Sequence, residues 1–147
     1  MKVLIQRSKN SCVKVKGDVV GQIPFGLVVF LGITYSDDEK DIDYLVNKII
    51  NLRIFDDEKG VMNKSILDTN GKVLLISQFT LMADTKKGNR PSYVNAAKGD
   101  IAKPLYEKFI QKLKNHVQVQ TGIFGEEMLV NINNDGPITI MIDSKNK

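Results

Sequence analysis

The chain has 147 residues, of which 42% are hydrophobic and 26% are charged, and its formal net charge is +4 at pH 7. This length predicts a single domain over residues 1–147 with a buried core. No apolar stretch approaches the roughly 18 residues of a membrane-spanning helix, which excludes an integral helical membrane protein.

The N-terminal part of the chain predicts a series of β-strands. Alternating residues indicate strands over residues 2–7 and 11–16, and Gly17–Asp18 predicts a turn that leads into Val19–Val20. The continuous apolar run over residues 27–33 is typical of a strand that is buried on both faces.

A helix and a further strand are predicted next. Ser36, with Glu39 three residues later, has the pattern of a capping box at a helix start. The apolar residues that follow have the helical period: Ile42, Leu45, Val46, Ile49 and Ile50. After an acidic loop at 56–60, Asn70–Gly71 predicts a turn into a strand over residues 72–79.

The C-terminal part predicts a loop, a second helix and three short strands. Residues 84–91 form the polar loop, and residues 101–116 form the helix, with Pro104 placed in its first turn. The strands are predicted over residues 117–120, 128–132 and 138–142, and residues 133–137 connect the last two. The elements together predict a single mixed α/β domain with an extensive, mostly antiparallel, barrel-like layered sheet and two helices packed on it.

The positive charge is concentrated in one segment. Residues 85–115 carry eight basic and two acidic side chains, so this segment holds all of the excess positive charge. Two interpretations remain open: a solvated helix face, or a patch that contacts phosphates. No aromatic residues alternate with these charges, so a bound nucleic acid would be held by its backbone.

Few side chains are available for catalysis. The only histidine, His116, ends the basic helix, and the only cysteine, Cys12, lies within a strand and cannot form an intrachain disulfide bond. The sequence has no zinc or calcium ligand pattern and no glycine-rich phosphate loop. Because the chain also begins without the layout of a signal peptide, we expect a cytoplasmic protein. An enzyme of this composition depends on backbone amides and on groups that its substrate supplies.

Two segments resemble the signature motifs of one enzyme family. Ser77-Gln78-Phe79-Thr80-Leu81 and Asn134-Asp135-Gly136-Pro137-Ile138-Thr139 are similar to the two motifs of the D-aminoacyl-tRNA deacylases. Similar segments also occur at residues 1–7, 51–55 and 86–92. The resemblance implies an enzyme without metal or organic cofactor that cleaves the ester of D-aminoacyl-tRNA in chiral proofreading during translation.

The resemblance places Ser77, Gln78, Phe79 and Thr80 in the active site. We expect Ser77 and Gln78 to orient the substrate and the backbone around Phe79 to stabilise an oxyanion. Thr80 is expected to support the geometry, while a ribose hydroxyl of the substrate assists the chemistry. A covalent ester on Thr80 stays open as the alternative, although no base is apparent nearby.

The resemblance assigns chiral selection to Gly136 and Pro137. It implies a cis bond at this step, which enters the active site of the partner in a homodimer and excludes L side chains. Glycine would pass the same filter, so we also expect cleavage of glycyl-tRNA mischarged on tRNA-Ala. Arg7 is expected to brace this segment, with an ordinary surface ion pair as the alternative.

Further positions are assigned by resemblance to the RNA part of the substrate. The stretch that matches the expected terminal-adenosine pocket contains Gly122, Phe124, Gly125 and Met128. Core packing is the alternative role for Phe124 and Met128. The candidates for contact with acceptor-stem phosphates are Lys86, Lys87 and Arg90.

Two other functions are compatible with the sequence. One is an editing domain of the threonyl-tRNA synthetase type, which acts on an L-aminoacyl-tRNA. The other is a non-catalytic nucleic-acid-binding protein that uses the segment over residues 85–115.

Overall fold

The computed structural model describes residues 1–147, which form a six-stranded mixed sheet, a two-stranded ribbon and two α-helices. The strands are β1 (Lys2–Val15), β2 (Asp18–Gly32), β3 (Phe55–Asp56), β4 (Met62–Lys64), β5 (Lys72–Ser77), β6 (Val119–Thr121), β7 (Leu129–Asn131) and β8 (Asn134–Asp143). The helices are α1 (Glu39–Asn51) and α2 (Gly99–Lys114), with short 3₁₀ helices at Ile66–Asp68 and Phe79–Met82. Neither α-helix combines the length and the apolar character that crossing a membrane would require.

The β1 and β2 strands form one long antiparallel hairpin. The strands predicted over 2–7 and 11–16 are joined, because Asn10 adopts a φ of 50° and is skipped in the β1–β2 register. Asparagine tolerates this left-handed conformation, so the strand continues through it in unchanged register, and the irregularity in the β1–β2 pairing lies between Val13 and Lys14. The predicted turn at Gly17 is confirmed, and Gly17 itself has a φ of 88°.

The sheet combines antiparallel and parallel pairs. Its order is β6-β5-β2-β1-β7, and β8 also pairs with β1. The β1 strand is antiparallel to β2, β7 and β8, whereas β5 is parallel to both β2 and β6. The parallel pairs arise because α1 and α2 serve as the crossover connections that such pairs require. The barrel-like closure was therefore wrong, since the pairing ends at β6 on one side and at β7 and β8 on the other.

The sheet separates two hydrophobic clusters. The larger cluster has 24 buried residues and lies between the sheet and the two helices. The smaller one lies on the other face and consists of Val13, Ile23, Val28, Leu74 and Ile76. Leu27 and Val28 belong to different clusters and are both 0% exposed, so the prediction of a strand buried on both faces is confirmed.

The start of α1 differs from the prediction. The cap residue is Asp38, whose carboxylate accepts the N–H of Lys40 at 2.9 Å, and the Asp41 side chain accepts the N–H of Asp38 at 2.9 Å. Asp37 precedes the helix because its carboxylate accepts the N–H of Thr34 at 2.8 Å and thereby closes a turn. The capping box predicted at Ser36 and Glu39 was therefore wrong by two residues.

The α2 helix begins at Gly99, two residues before its predicted start. Pro104 is consequently the sixth helical residue and lies in the second turn, so its placement in the first turn was wrong. Proline has no N–H to donate to the carbonyl of Asp100, and the helix continues with that one bond missing.

Both motif segments lie in irregular positions of the sheet. The β5 strand ends at Ser77, and Phe79–Met82 turn into a 3₁₀ helix, so the strand predicted to residue 79 is too long. Residues 134–137 belong to β8 and do not form a connection, because β8 begins at Asn134. Between the register pairs Gln6–Thr139 and Ser8–Asn134, the four residues 135–138 of β8 oppose Arg7 alone. The second motif thus forms a bulge with four residues opposite one, at the edge of the sheet.

Candidate active site

A mostly apolar pocket opens at the carboxyl ends of the parallel strands β2 and β5, where α/β sheets commonly bind ligands. Its volume is about 500 Å³ and nine of its 14 lining residues are hydrophobic. Ser77, Gln78 and Phe79 line it from the end of β5. The start of α2 and the loop before β7 form the other walls.

The chain geometry at the end of β5 leaves two backbone donors without partners in the turn. The N–H of Gln78 still donates to the carbonyl of Leu31 at 2.8 Å, which is the last contact with β2. The first hydrogen bond of the 3₁₀ helix is donated by Leu81 to the carbonyl of Gln78 at 3.2 Å. The N–H groups of Phe79 and Thr80 precede that bond, so the helix offers them no acceptor. They can therefore bind an anionic oxygen.

Thr80 stands apart from the pocket surface. Its hydroxyl accepts a hydrogen bond from Nε2 of Gln78 at 2.5 Å, and the residue does not line the cavity. His116 borders a different cavity beside α1 and so lies outside the site, and Cys12 does not line the pocket either. The site therefore has no histidine or cysteine.

Residues of the loop before β7 form one wall of the pocket. Phe124, Gly125 and Met128 line it, and a Cβ atom on Gly122 would lie 2.3 Å from Sδ of Met128. Phe124 also packs on Tyr106, with ring centroids 5.6 Å apart. Phe124 and Met128 thus pack on the core with one side and face the cavity with the other.

Tyr106 lies beneath this wall and is hydrogen-bonded to the backbone of β5. Its hydroxyl donates to the carbonyl of Leu75 at 3.1 Å. Burial raises the pKa of this hydroxyl well above its ordinary value, so the group stays neutral.

Several pocket residues were not anticipated from the sequence. They are Leu31, Ile33, Ile76, Ala97, Gly99, Ala102, Glu126 and Val130. Most are small or apolar residues that carry no chemical signal. Glu126 is the only carboxylate of the pocket, and it lies 3.8 Å from the ammonium group of Lys16.

Arg7 is buried next to the bulge of β8. Its side chain is 7% exposed, and Nη1 donates to the carbonyl of Ile54 at 2.7 Å. Nε lies 3.0 Å from a carboxylate oxygen of Asp135 but makes no well-aligned hydrogen bond to it. Nη1 also donates to the half-exposed carboxylate of Asp56 at 3.3 Å, so the buried Arg7 contacts both Asp56 and the residue that precedes Gly136.

The Gly136–Pro137 step is exposed and its peptide bond is cis. Nδ2 of Asn134 donates to the carbonyls of Arg7 at 3.1 Å and of Ile138 at 3.0 Å, which closes the base of the bulge. Neither Gly136 nor Pro137 lines the pocket of its own chain.

The structure divides the basic segment into two parts. On α2, Lys108 lies 2.6 Å and Lys112 2.8 Å from the carboxylate of Glu39 on α1. Hydrogen bonds from Lys108 and Lys112 lower the pKa of Glu39 to about 2. This part of the segment joins the two helices, as expected of a solvated helix face.

The other part is a loop near the pocket. Its base is closed by the N–H of Asp84, which donates to the carbonyl of Ser92 at 2.8 Å, and by the reverse bond at 2.9 Å. Lys86, Lys87 and Arg90 lie within it and are exposed, and their charged side-chain groups form no salt bridge. They are free to pair with an anion.

The fold and the pocket define an α/β protein with a mostly apolar cavity beside main-chain donors at the end of a strand. A family model described as D-Tyr-tRNA(Tyr) deacylase matches residues 4–143. The D-aminoacyl-tRNA deacylase of Clostridium tetani is 57% identical over 146 residues, which cover 99% of this chain and 98% of that protein. The D-aminoacyl-tRNA deacylase of Thermosipho africanus is 55% identical over 146 residues, which cover 99% of this chain and 98% of that protein. The chain belongs to the D-aminoacyl-tRNA deacylase family, whose members are ester hydrolases, so the family predicted from the two motifs is confirmed.

Solved structures support the fold. The c-Myc DNA Unwinding Element Binding Protein has a TM-score of 0.93 and 37% identity, and 97% of this chain and 98% of that chain are covered. A probable eukaryotic D-amino acid tRNA deacylase has a TM-score of 0.82 at 16% identity, with 96% and 97% covered. The second likeness concerns the fold alone.

Proposed function

We propose that this enzyme hydrolyses the ester bond of D-aminoacyl-tRNA in the cytoplasm and releases tRNA and the D-amino acid. The observation that carries the proposal is the end of β5, where Phe79 lines a mostly apolar pocket and its N–H group, like that of the adjacent Thr80, has no acceptor in the 3₁₀ helix. The activity removes D-amino acids before they enter translation, which is chiral proofreading.

The terminal adenosine would occupy the wall formed by Phe124 and Met128. The ester carbonyl then lies at the end of β5, with Ser77 and Gln78 orienting the aminoacyl group. A water molecule adds to the carbonyl carbon, and the N–H groups of Phe79 and Thr80 bind the oxyanion that forms. Each such donor contributes about 3 kcal/mol of transition-state stabilisation.

The substrate supplies the proton transfer that the pocket lacks. The ribose hydroxyl next to the ester accepts the proton of the attacking water and donates one to the leaving ribose oxygen. The carbonyl re-forms as the ester bond breaks, which yields a carboxylic acid and a ribose diol. Correct positioning of these groups contributes several kcal/mol, and up to about 11 kcal/mol in the best-oriented systems.

The backbone of a second subunit would discriminate between D-aminoacyl and L-aminoacyl substrates. The Gly136–Pro137 step projects from the sheet edge and does not reach its own pocket, so it acts on substrate only if another copy presents it. We therefore propose a homodimer in which the bulge of one subunit enters the pocket of the other. Its main chain occupies the space of an L side chain and leaves the D direction open. Glycine has no side chain to exclude, so glycyl-tRNA mischarged on tRNA-Ala would also be cleaved.

Arg7 supports this arrangement from beneath. Its buried contact with Asp135 and the hydrogen bonds of Asn134 fix both sides of the bulge. A main-chain filter needs such support because a shift of about 1 Å would admit the wrong enantiomer.

The decisive experiment measures hydrolysis of D-tyrosyl-tRNA and L-tyrosyl-tRNA by the purified protein. We expect cleavage of the D ester alone. The matched variant replaces Gly136 and Pro137 with alanine, and we expect it to cleave the L ester as well. An unchanged ratio of D to L rates in this variant would contradict the backbone filter, and preference for the L ester in the wild type would indicate an editing domain of the synthetase type.

A second candidate function is nucleic-acid binding without catalysis. It is favoured by the name of the c-Myc DNA Unwinding Element Binding Protein, whose fold this chain shares. Under this function, binding of nucleic acid would weaken steeply with salt and no charged tRNA would be cleaved.

A further inference from the structure

Two aromatic side chains lie exposed at the rim of the pocket. Phe79 is 56% exposed and Tyr93 is 40% exposed. Their ring centroids are 5.1 Å apart at an interplanar angle of 72°, so they form an edge-to-face pair. Such a pair fixes the orientation of both rings and leaves apolar ring surface in contact with water.

The pair lies between the pocket and the basic loop. Phe79 lines the pocket, and Tyr93 directly follows Ser92, whose backbone pairs with Asp84 at the base of the loop. Lys86, Lys87 and Arg90 lie within that loop. The sequence-based expectation that no aromatic residue accompanies these charges was therefore wrong, because Tyr93 lies within the basic segment and Phe79 shortly precedes it.

We propose that Phe79 and Tyr93 form a stacking platform for the nucleotide that precedes the terminal adenosine. The inference rests on the proposed function, since it places the terminal adenosine in the pocket. The single-stranded 3′ end then leaves the pocket across the aromatic pair and continues toward the basic loop. Stacking on an aromatic ring contributes about 1–3 kcal/mol per base.

The surrounding charge favours a nucleic-acid strand over a protein surface. The three cations of the loop lack carboxylate partners, and the exposed Lys98 precedes α2 at the same side of the pocket. A strand with one negative charge per nucleotide matches free cations next to exposed rings.

The test compares substrates of different length. Tyr93→Ala should raise KM about tenfold for D-tyrosyl-tRNA and for the D-tyrosyl ester of a cytidylyl-adenosine dinucleotide, which corresponds to stacking of about 1.4 kcal/mol. Cleavage of the D-tyrosyl ester of adenosine, which has no preceding nucleotide, should not change. Tyr93→Phe should behave like the wild type, and Tyr93→Leu should resemble Tyr93→Ala, because leucine keeps apolar area but has no ring face.

Three results would overturn the platform. They are an equal loss on the adenosine ester, no loss on any substrate, or a change of sedimentation in Tyr93→Ala, which would mean that a second copy covers the rings. Failure of the wild type to cleave any ester would instead refute the proposed function. In that case, anisotropy titration of uncharged tRNA still decides the platform, because Tyr93→Ala must bind about tenfold more weakly and Tyr93→Phe must not.

Discussion

At the scale of single residues, two hydroxyl groups near the pocket, those of Thr80 and Tyr106, are already hydrogen-bonded. Nε2 of Gln78 donates to the Thr80 hydroxyl, and the Tyr106 hydroxyl donates to a backbone carbonyl. A nucleophilic hydroxyl needs a base that removes its proton, and Thr80 is instead bonded to an amide nitrogen that can only donate. The proposed mechanism therefore assigns the chemistry to backbone N–H groups and to the substrate.

The first prediction concerns Thr80. Thr80→Ala should keep substantial activity, because it removes one hydrogen bond worth about 1 kcal/mol, which is less than tenfold in rate. Single-turnover cleavage of D-tyrosyl-tRNA measures the effect, and Thr80→Val serves as the control that keeps the shape. Near-complete loss in a folded Thr80→Ala protein, together with a covalent adduct trapped on the wild type, would establish Thr80 as a nucleophile.

At the scale of elements, sequence patterns predicted whether a segment is a helix or a strand better than they predicted the residues at which it begins and ends. The burial of α1 residues such as Ile42 and Leu45 follows the predicted period, because one face must pack on the sheet. The end of β5 could not be predicted, since the apolar run through Phe79 and Leu81 continues the strand pattern. The turn there depends on a tertiary contact, in which Gly32 lets β2 approach Leu81 so closely that a Cβ atom would lie 2.8 Å away.

The two parts of the basic segment should differ in tRNA binding, which is the second prediction. Lys86→Gln with Lys87→Gln should weaken binding and reduce the slope of log affinity against log salt by about 1 for each lysine removed. Lys108→Gln with Lys112→Gln is the matched control on α2. It should leave the slope unchanged, because these lysines pair with α1. Equal slopes for the two double variants would show that the loop is not the phosphate contact.

At the scale of the whole molecule, one buried cluster joins α1 to the C-terminal segment. The Asp41 carboxylate accepts from the Ser144 hydroxyl at 2.7 Å and lies 2.7 Å from the ammonium group of Lys145. Burial raises the pKa of Asp41, but hydrogen bonds from Lys145, Ser144 and the Asp38 N–H outweigh it. They hold that pKa well below its ordinary value of 3.8.

The third prediction follows from this lowered pKa. A carboxyl whose folded pKa is depressed stabilises the fold fully above its unfolded pKa, and that stabilisation is lost as the pH falls toward the folded pKa. Asp41→Asn should therefore lower the free energy of unfolding by about 2 kcal/mol at neutral pH, with a smaller difference from the wild type below about pH 3. Urea denaturation measures it. Asp43→Asn, on the exposed face of α1, should change stability by less than about 0.5 kcal/mol.

The site as a whole could be predicted from the sequence only in part. The family resemblance named candidate site residues, and five of them line one pocket: Ser77, Gln78, Phe79, Phe124 and Met128. Their meeting depends on parallel pairing of β2 with β5, which strand patterns do not specify. The bulge of β8 was not predictable either, because four residues oppose Arg7 only where Asn134 closes the base.

The last prediction tests whether the filter acts between subunits. Gly99→Trp should block the pocket of its own subunit, since a Cβ atom there has its nearest neighbour, Cε1 of Phe124, at 3.8 Å and the indole can extend into the cavity. In a heterodimer that carries Gly99→Trp in one subunit and alanine at Gly136 and Pro137 in the other, the open pocket faces an intact filter, so only D-tyrosyl-tRNA should be cleaved. When both changes are in the same subunit, the wild-type pocket faces the altered filter and should also cleave L-tyrosyl-tRNA.

Two different affinity tags allow purification of each heterodimer, and the Gly99→Trp homodimer gives the background rate. If the filter acted within one subunit, the two heterodimers would exchange their specificities, and a monomer in sedimentation would contradict the shared site altogether.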